Sequence, residues 1–372
     1  MHARRLLTAA LSLATGVSIA VPGVAANAGD RAEGAFHQTN LVSDLPGMAA
    51  TVDPNLVNPW GISASPTSPM WVADNNGNVT TLYNGAGQPL QFPPALGGGQ
   101  FVVKIPAPDG SDGGTPTGTV FNGSSGFMGD RFLFATEDGT ITGWNPTVNF
   151  KKAIVRVNRS TVGEGAVYKG LAIAGNHIYA TNFRFGTVEV FDANYNLVSL
   201  RGSFSDSRIP AGFAPFNIQE LGGRLYVTYA KQKPDKHDDL SGPGNGFVNV
   251  FDLKGHLLSR LIRHGALNSP WGLALAPENF GPFSEALLVG NFGDGHINAY
   301  SPRSGRLIGT LRNDVGAPIQ IDGLWGIRFG NGSNGSTGGG ALAPTNTLYF
   351  AAGIGEEQHG LFGTITSVGE DD

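Results

Sequence analysis

The chain has 372 residues, no cysteine, 56 glycines, 14% charged residues and a formal net charge of −5. The lack of cysteine excludes disulfides, a thiol nucleophile and thiolate-held zinc or iron–sulfur sites, and the charge balance excludes the basic footprint of a nucleic-acid binder. Interior glycine costs a helix about 1 kcal/mol, so this glycine content points away from helices, while 40% hydrophobic residues point to an ordered core.

Residues 1–28 read as an export signal. Arg4 and Arg5 precede an apolar run over 6–24, and Ala26-Asn27-Ala28 gives the small-x-small spacing of a cleavage site. Pro22 and Gly23 favour cleavage over the rival reading, a membrane anchor. No later stretch approaches the roughly 20 apolar residues of a spanning helix. The expectation is a secreted or periplasmic monomer without a membrane span. It would hold one domain over 29–369 and a short acidic tail over 370–372.

The segment 36–42 has strand character but precedes the first repeat. Asn58-Pro59-Trp60-Gly61-Ile62 then opens a motif that returns as Ser269-Pro270-Trp271-Gly272-Leu273 and Gly323-Leu324-Trp325-Gly326-Ile327. Weaker copies centre on Gly118, Gly170 and Asn217, so the six aligned positions are 57, 52, 47, 55 and 54 residues apart. Each copy continues with an apolar run such as Met70-Trp71-Val72-Ala73 or Leu287-Leu288-Val289. A turn rich in Gly, Asn or Asp follows, and then an alternating strand that in most copies ends in an aromatic, as in Val188-Glu189-Val190-Phe191. Outer strands follow at 197–200, 257–261 and 307–311.

Four strands in each of six units predict an all-β, six-bladed β-propeller, with five or seven blades as the rival. The last unit ends with a strand over 362–368 and no outer strand after it. The segment 36–42 is expected to pair there and close the ring. Residues 330–340 are almost pure Gly, Ser, Thr and Asn, and predict a solvated loop on the bottom face. Residues 231–246 (KQKPDKHDDLSGPGNG) carry dense charge in a charge-poor chain and project from the top.

Several motifs carry a resemblance. Asn40-Leu41-Val42-Ser43-Asp44, Phe134-Ala135-Thr136-Glu137-Asp138-Gly139, Lys236-His237-Asp238-Asp239 and Leu288-Val289-Gly290-Asn291-Phe292-Gly293 are among them. The chain resembles a family of uncharacterised exported bacterial proteins, some of which carry PEP-CTERM sorting tails. The resemblance implies a propeller and assigns no activity. The chain's own end, Gly369-Glu370-Asp371-Asp372, lacks the apolar helix and basic tail of anchored members, which implies release.

Top-face loops converge on a propeller's axis and supply the candidate residues. Catalytic candidates are Glu137 and His237. Ligand-binding candidates are Trp60, Trp271 and Trp325 at the inner strands, Lys236, His237, Asp238 and Asp239 in the charged loop, and Glu356, Glu357 and His359. Asn182, Asn217 and Asn291 are candidate metal ligands, of a hard oxygen type that suits Ca²⁺. Each has a plainer rival. The charged and acidic clusters can be solvated faces, Asn182 and Asn291 can bond neighbouring backbone, and the tryptophans can be wedges between blades. No Gly-x-Ser-x-Gly, phosphate loop or His-Glu-x-x-His occurs.

Three functions fit this reading. The first and favoured one is a binder of a small molecule, glycan or protein partner on the top face. The second is a metal-dependent hydrolase or lyase of lactonase type with a channel cation. The third is a structural component of the cell envelope or matrix.

Overall fold

The computed structural model describes residues 34–333 and 341–369. The expected export signal, the acidic tail and seven residues of the 330–340 loop lie outside the described residues. Six antiparallel sheets form the blades, each numbered here from its inner strand outward. The inner strands are Pro59–Ser63, Pro116–Phe121, Tyr168–Ala174, Phe213–Leu221, Pro270–Leu275 and Leu324–Phe329, in blades one to six. Among the described residues the only helical segments are three single 3₁₀ turns.

Ring closure follows the sequence expectation. The N-terminal strand Ala35–Ser43 pairs antiparallel with Leu361–Val368, from Ala35 opposite Val368 to Ser43 opposite Leu361. It becomes the outer strand of blade six, and the short strand Thr51–Val52 extends that sheet by parallel pairing. Phe36 is 1% exposed and packs on Phe280 of blade five at 5.0 Å between ring centroids, so the closing strand also locks the adjacent blade.

A lone sheet leaves both faces wet, and the ring solves this by face-to-face burial. Trp71 of blade one stacks on Phe132 of blade two at 4.0 Å. Comparable apolar clusters fill the other interfaces, such as Val72, Tyr349 and Phe362 between blades six and one. The repeated glycine has a steric cause. A Cβ on Gly118 would stand 2.4 Å from the Leu171 nitrogen of blade three, and one on Gly326 would stand 2.3 Å from the Trp60 oxygen of blade one. Inner strands approach too closely there for any side chain. The exception, Asn217, reaches across instead, and its Nδ2 donates to the Trp271 oxygen at 2.7 Å.

Candidate functional site

The residue before each repeat glycine or Asn217 sits near the top of an inner strand. Going round the ring these are Trp60, Thr117, Lys169, Phe216, Trp271 and Trp325, and all are buried. The aromatic members meet on the axis. Trp60 stacks on Trp325 at 3.4 Å and 16°, and Trp271 stands edge-on to both at 6.1 and 5.9 Å. Phe216 adds a further contact to Trp325 at 5.7 Å. Aromatic pairs of this kind contribute about 0.5–1.5 kcal/mol each beyond area burial. The tryptophans therefore pack across the axis, forming neither wedges between blades nor a stacking wall. Trp60 and Trp325 each spend a face on the other, and at 1–4% exposure the three offer no open ring to a ligand. Phe292, stacked on Trp325 at 3.9 Å and half-buried, is the ring that faces the top.

Above this plug lies a cavity of about 710 Å³. Trp60, Trp325 and Phe292 form its floor, and Lys169 enters from blade three. The Lys169 side chain is 2% exposed, and its Nζ lies 4.9 Å from the Trp60 ring centroid. It bonds Glu137 and lies 3.5 Å from Asp238. Burial alone would lower its pKa. The carboxylates of Glu137 and Asp238 outweigh that and hold it above the ordinary lysine value, so the ammonium stays charged. Glu137 follows the second strand of blade two, and its other oxygen accepts from Asn75 Nδ2 at 2.8 Å.

The charged loop of blade four is ordered by its own backbone and by the Asn268 side chain. Lys233 N donates to Asp238 O at 2.8 Å, Leu240 N to Lys231 O at 2.6 Å, and Gly242 N to Asn268 Oδ1 at 2.6 Å. This folding brings Asp238 into the cavity lining and leaves His237 outside it, with His237 Nδ1 2.8 Å from Asp238 and 3.9 Å from Glu137. The hydrogen bond from His237 holds the Asp238 carboxyl well below its usual range. Asp239 is buried beside it, bonded by Ser241 at 3.0 Å, and burial pushes its carboxyl up. Lys236 is exposed and outside the cavity lining.

Glu357 closes the opposite side. Burial, then the negative charges of Glu137 and Asp238, push its carboxyl up to about 7, against the opposing pull of Lys169 and of Asn58. Its Oε2 accepts from Asn58 Nδ2 at 3.1 Å. Among the described residues no basic side chain pairs with it within 4.0 Å. Glu356 and Glu357 both hold left-handed backbone, with φ of 56° and 64°. Non-glycine residues avoid this region, and strain of this kind concentrates at functional turns. Asp322 anchors the turn through Gly355 N at 2.8 Å, and Asn76 Nδ2 holds Glu357 O at 2.7 Å. His359 faces away, 2.7 Å from Asp44, and pins the end of the closing strand.

The three asparagines do not converge. Asn182 Oδ1 accepts from Val167 N and Phe185 N, Asn217 bridges blades four and five, and Asn291 Nδ2 donates to Ala266 O at 2.8 Å. Asn182 and Asn291 thus bond neighbouring backbone, as their plainer reading has it, and each also donates to a carboxylate, Glu189 and Asp294, at 3.1 Å, while Asn291 Oδ1 is buried with no partner among the described residues. Glu137, His237 and Asp238 do bring one donor atom each within 4.8 Å of one another. A calcium ion there would adjoin the buried Lys169 ammonium and meet three side-chain donors, one of them nitrogen. Ca²⁺ takes six to eight oxygens, so these residues do not fit it.

Lys169 received no role from sequence. Its signal was nonetheless present, as the one charged residue in a register otherwise aromatic or small.

No family model matches the chain. A solved structure of similar fold is a catalytically inactive virginiamycin B lyase from Staphylococcus aureus with quinupristin. It has a TM-score of 0.50 and 12% identity, covering 90% of this chain and 99% of that one, and it supports the propeller fold alone. Two relatives come from Acanthamoeba polyphaga mimivirus rather than from bacteria. Uncharacterized protein R648 is 34% identical over 87% of this chain and 78% of its own length. Uncharacterized protein L690 is 32% identical over 90% of this chain and 87% of its own length. With identities at this level over more than three quarters of each relative's length, the chain belongs to the same family of uncharacterised proteins as R648 and L690.

Proposed function

We propose that the protein binds a small organic cation, an amine or guanidine, in the top-face cavity. The observation that carries this reading is Glu357, a desolvated carboxyl without a basic partner, at about 7. Around it Asp238, Asp239, Asp322, Glu356 and Glu357 line the cavity against Lys169 and Lys233. Glu137 already compensates Lys169, so the remaining field is negative. A ligand ammonium beside Glu357 would relieve the repulsion, and Phe292 offers it an aromatic face.

Calorimetric titration with ethylamine, choline and agmatine tests this, with glucose and acetate as controls. At least one amine should bind the wild type at pH 8, bind Glu357→Gln at least about tenfold more weakly, and lose affinity as pH falls through 7. Amines that bind neither protein, or both equally, would refute the reading.

One observation favours a second reading. A carboxyl near 7 in the same cavity as a charged lysine is suited to general acid–base work, with Glu357 moving a proton and Lys169 stabilising a developing oxyanion. Turnover of an ester or lactone panel with a pH profile inflecting near 7, lost in Glu357→Gln, would support that hydrolase reading. No turnover would dismiss it.

A further inference from the structure

The channel has a second mouth, at the bottom, with chemistry of its own. A cavity of about 180 Å³ opens there between the lower ends of the inner strands. Arg328 of blade six lines it together with Ser63, Thr119, Gln219 and Glu220. Among the described residues the Arg328 guanidinium has one weak bond, Nη2 to the Ala64 oxygen at 3.4 Å, and its buried Nε has no partner. Among the described residues no carboxylate pairs with it, and burial pulls its pKa below the ordinary arginine value with no charge opposing. The 334–340 stretch that follows its strand has no acidic residue.

Two further donors share the cavity. Ser63 and Thr119 hydroxyls lie 3.0 Å apart, so one proton serves their mutual bond and the other is left to donate elsewhere. The Gln219 side-chain amide makes no hydrogen bond within the described protein. Glu220, the acidic member, is turned to its own hairpin, where its Oε1 accepts from Gly223 N at 2.7 Å.

A buried cation without a counter-ion is costly, and so is an unsatisfied buried N–H. A guanidinium fork, a hydroxyl and an amide around one small space match the acceptor geometry of an oxyanion. We propose that the bottom mouth is a binding site for a small oxyanion, a carboxylate or a phosphate group, seated on Arg328.

Calorimetric titration of the full chain with sodium phosphate, and separately with sodium acetate, reads this against sodium chloride at equal ionic strength. Saturable binding of at least one anion is expected, weakened at least about tenfold in Arg328→Met. Gln219→Ala, which keeps the charge, should weaken it less and serves if Arg328→Met fails to fold. Stronger phosphate binding names a phosphate ligand, and stronger acetate binding names a carboxylate. Equal binding in wild type and variants, or no saturable binding of either anion, overturns the proposal.

Discussion

Replacing Glu357 by glutamine isolates the energetic cost of the top-face carboxyl. Glutamine keeps the shape and still accepts from Asn58 Nδ2, while removing the ionisable group. The folded protein holds this carboxyl at about 7, against an ordinary 4.5. At about 1.36 kcal/mol per pH unit, the difference corresponds to about 3 kcal/mol. The sign follows from proton counting. Between 4.5 and 7 the folded state keeps the proton that the unfolded state has lost, so this group makes stability fall as pH rises. The loss levels off above about 7. About three quarters of it, or about 2.5 kcal/mol, falls between pH 5 and pH 8. Urea unfolding of wild type and Glu357→Gln at both pH values gives a double difference in which the other titrating groups cancel. The variant should gain about 2.5 kcal/mol relative to wild type on going from pH 5 to pH 8. A variant equally shifted at both pH values would show that Glu357 is not the repelled, desolvated group described here.

Lys169→Met leaves the largely buried Glu137 without its lysine partner and should destabilise the fold by about 3–5 kcal/mol in urea unfolding. Millimolar calcium chloride should leave the Tm of wild type unmoved, since the donors of Glu137, His237 and Asp238 do not suit the ion; a calcium response in wild type would contradict the lysine's role. Gly326→Ala drives a methyl against the Trp60 carbonyl, which cannot yield without parting blades six and one. A loss of about 1–3 kcal/mol is expected, and an unchanged urea midpoint would refute the close-approach argument.

The blades were legible because a repeat of about fifty residues marks each inner strand with a steric requirement, and the sequence displays that requirement as Gly or Asn217. Closure was legible because blade six lacks an outer strand. The outer strands Val102–Lys104 and Ile154–Asn158 escaped notice, since they are short and follow irregular segments. Most acidic members of the site were legible as top-face loops, Asp322 excepted, and Glu137, His237 and Asp238 do meet. Their organiser was not. Lys169 lies inside a strand, and its importance depends on Trp60, Glu137 and Asp238, brought together from three other segments of the chain. The tryptophans showed their register but not their direction, because packing across an axis leaves no local pattern.

The aromatic plug also decides what kind of opening this propeller has. Trp60 borders the upper cavity, and Trp271, its edge-on neighbour, borders the narrow channel below. Among the described residues the axis is consequently two blind vestibules set back to back, with no through-passage. Each vestibule exchanges its contents only with the solvent on its own side. The upper vestibule is rimmed mainly by carboxylates, and the lower one holds a bare guanidinium, so opposite charges would enter at opposite ends and never compete for the same space.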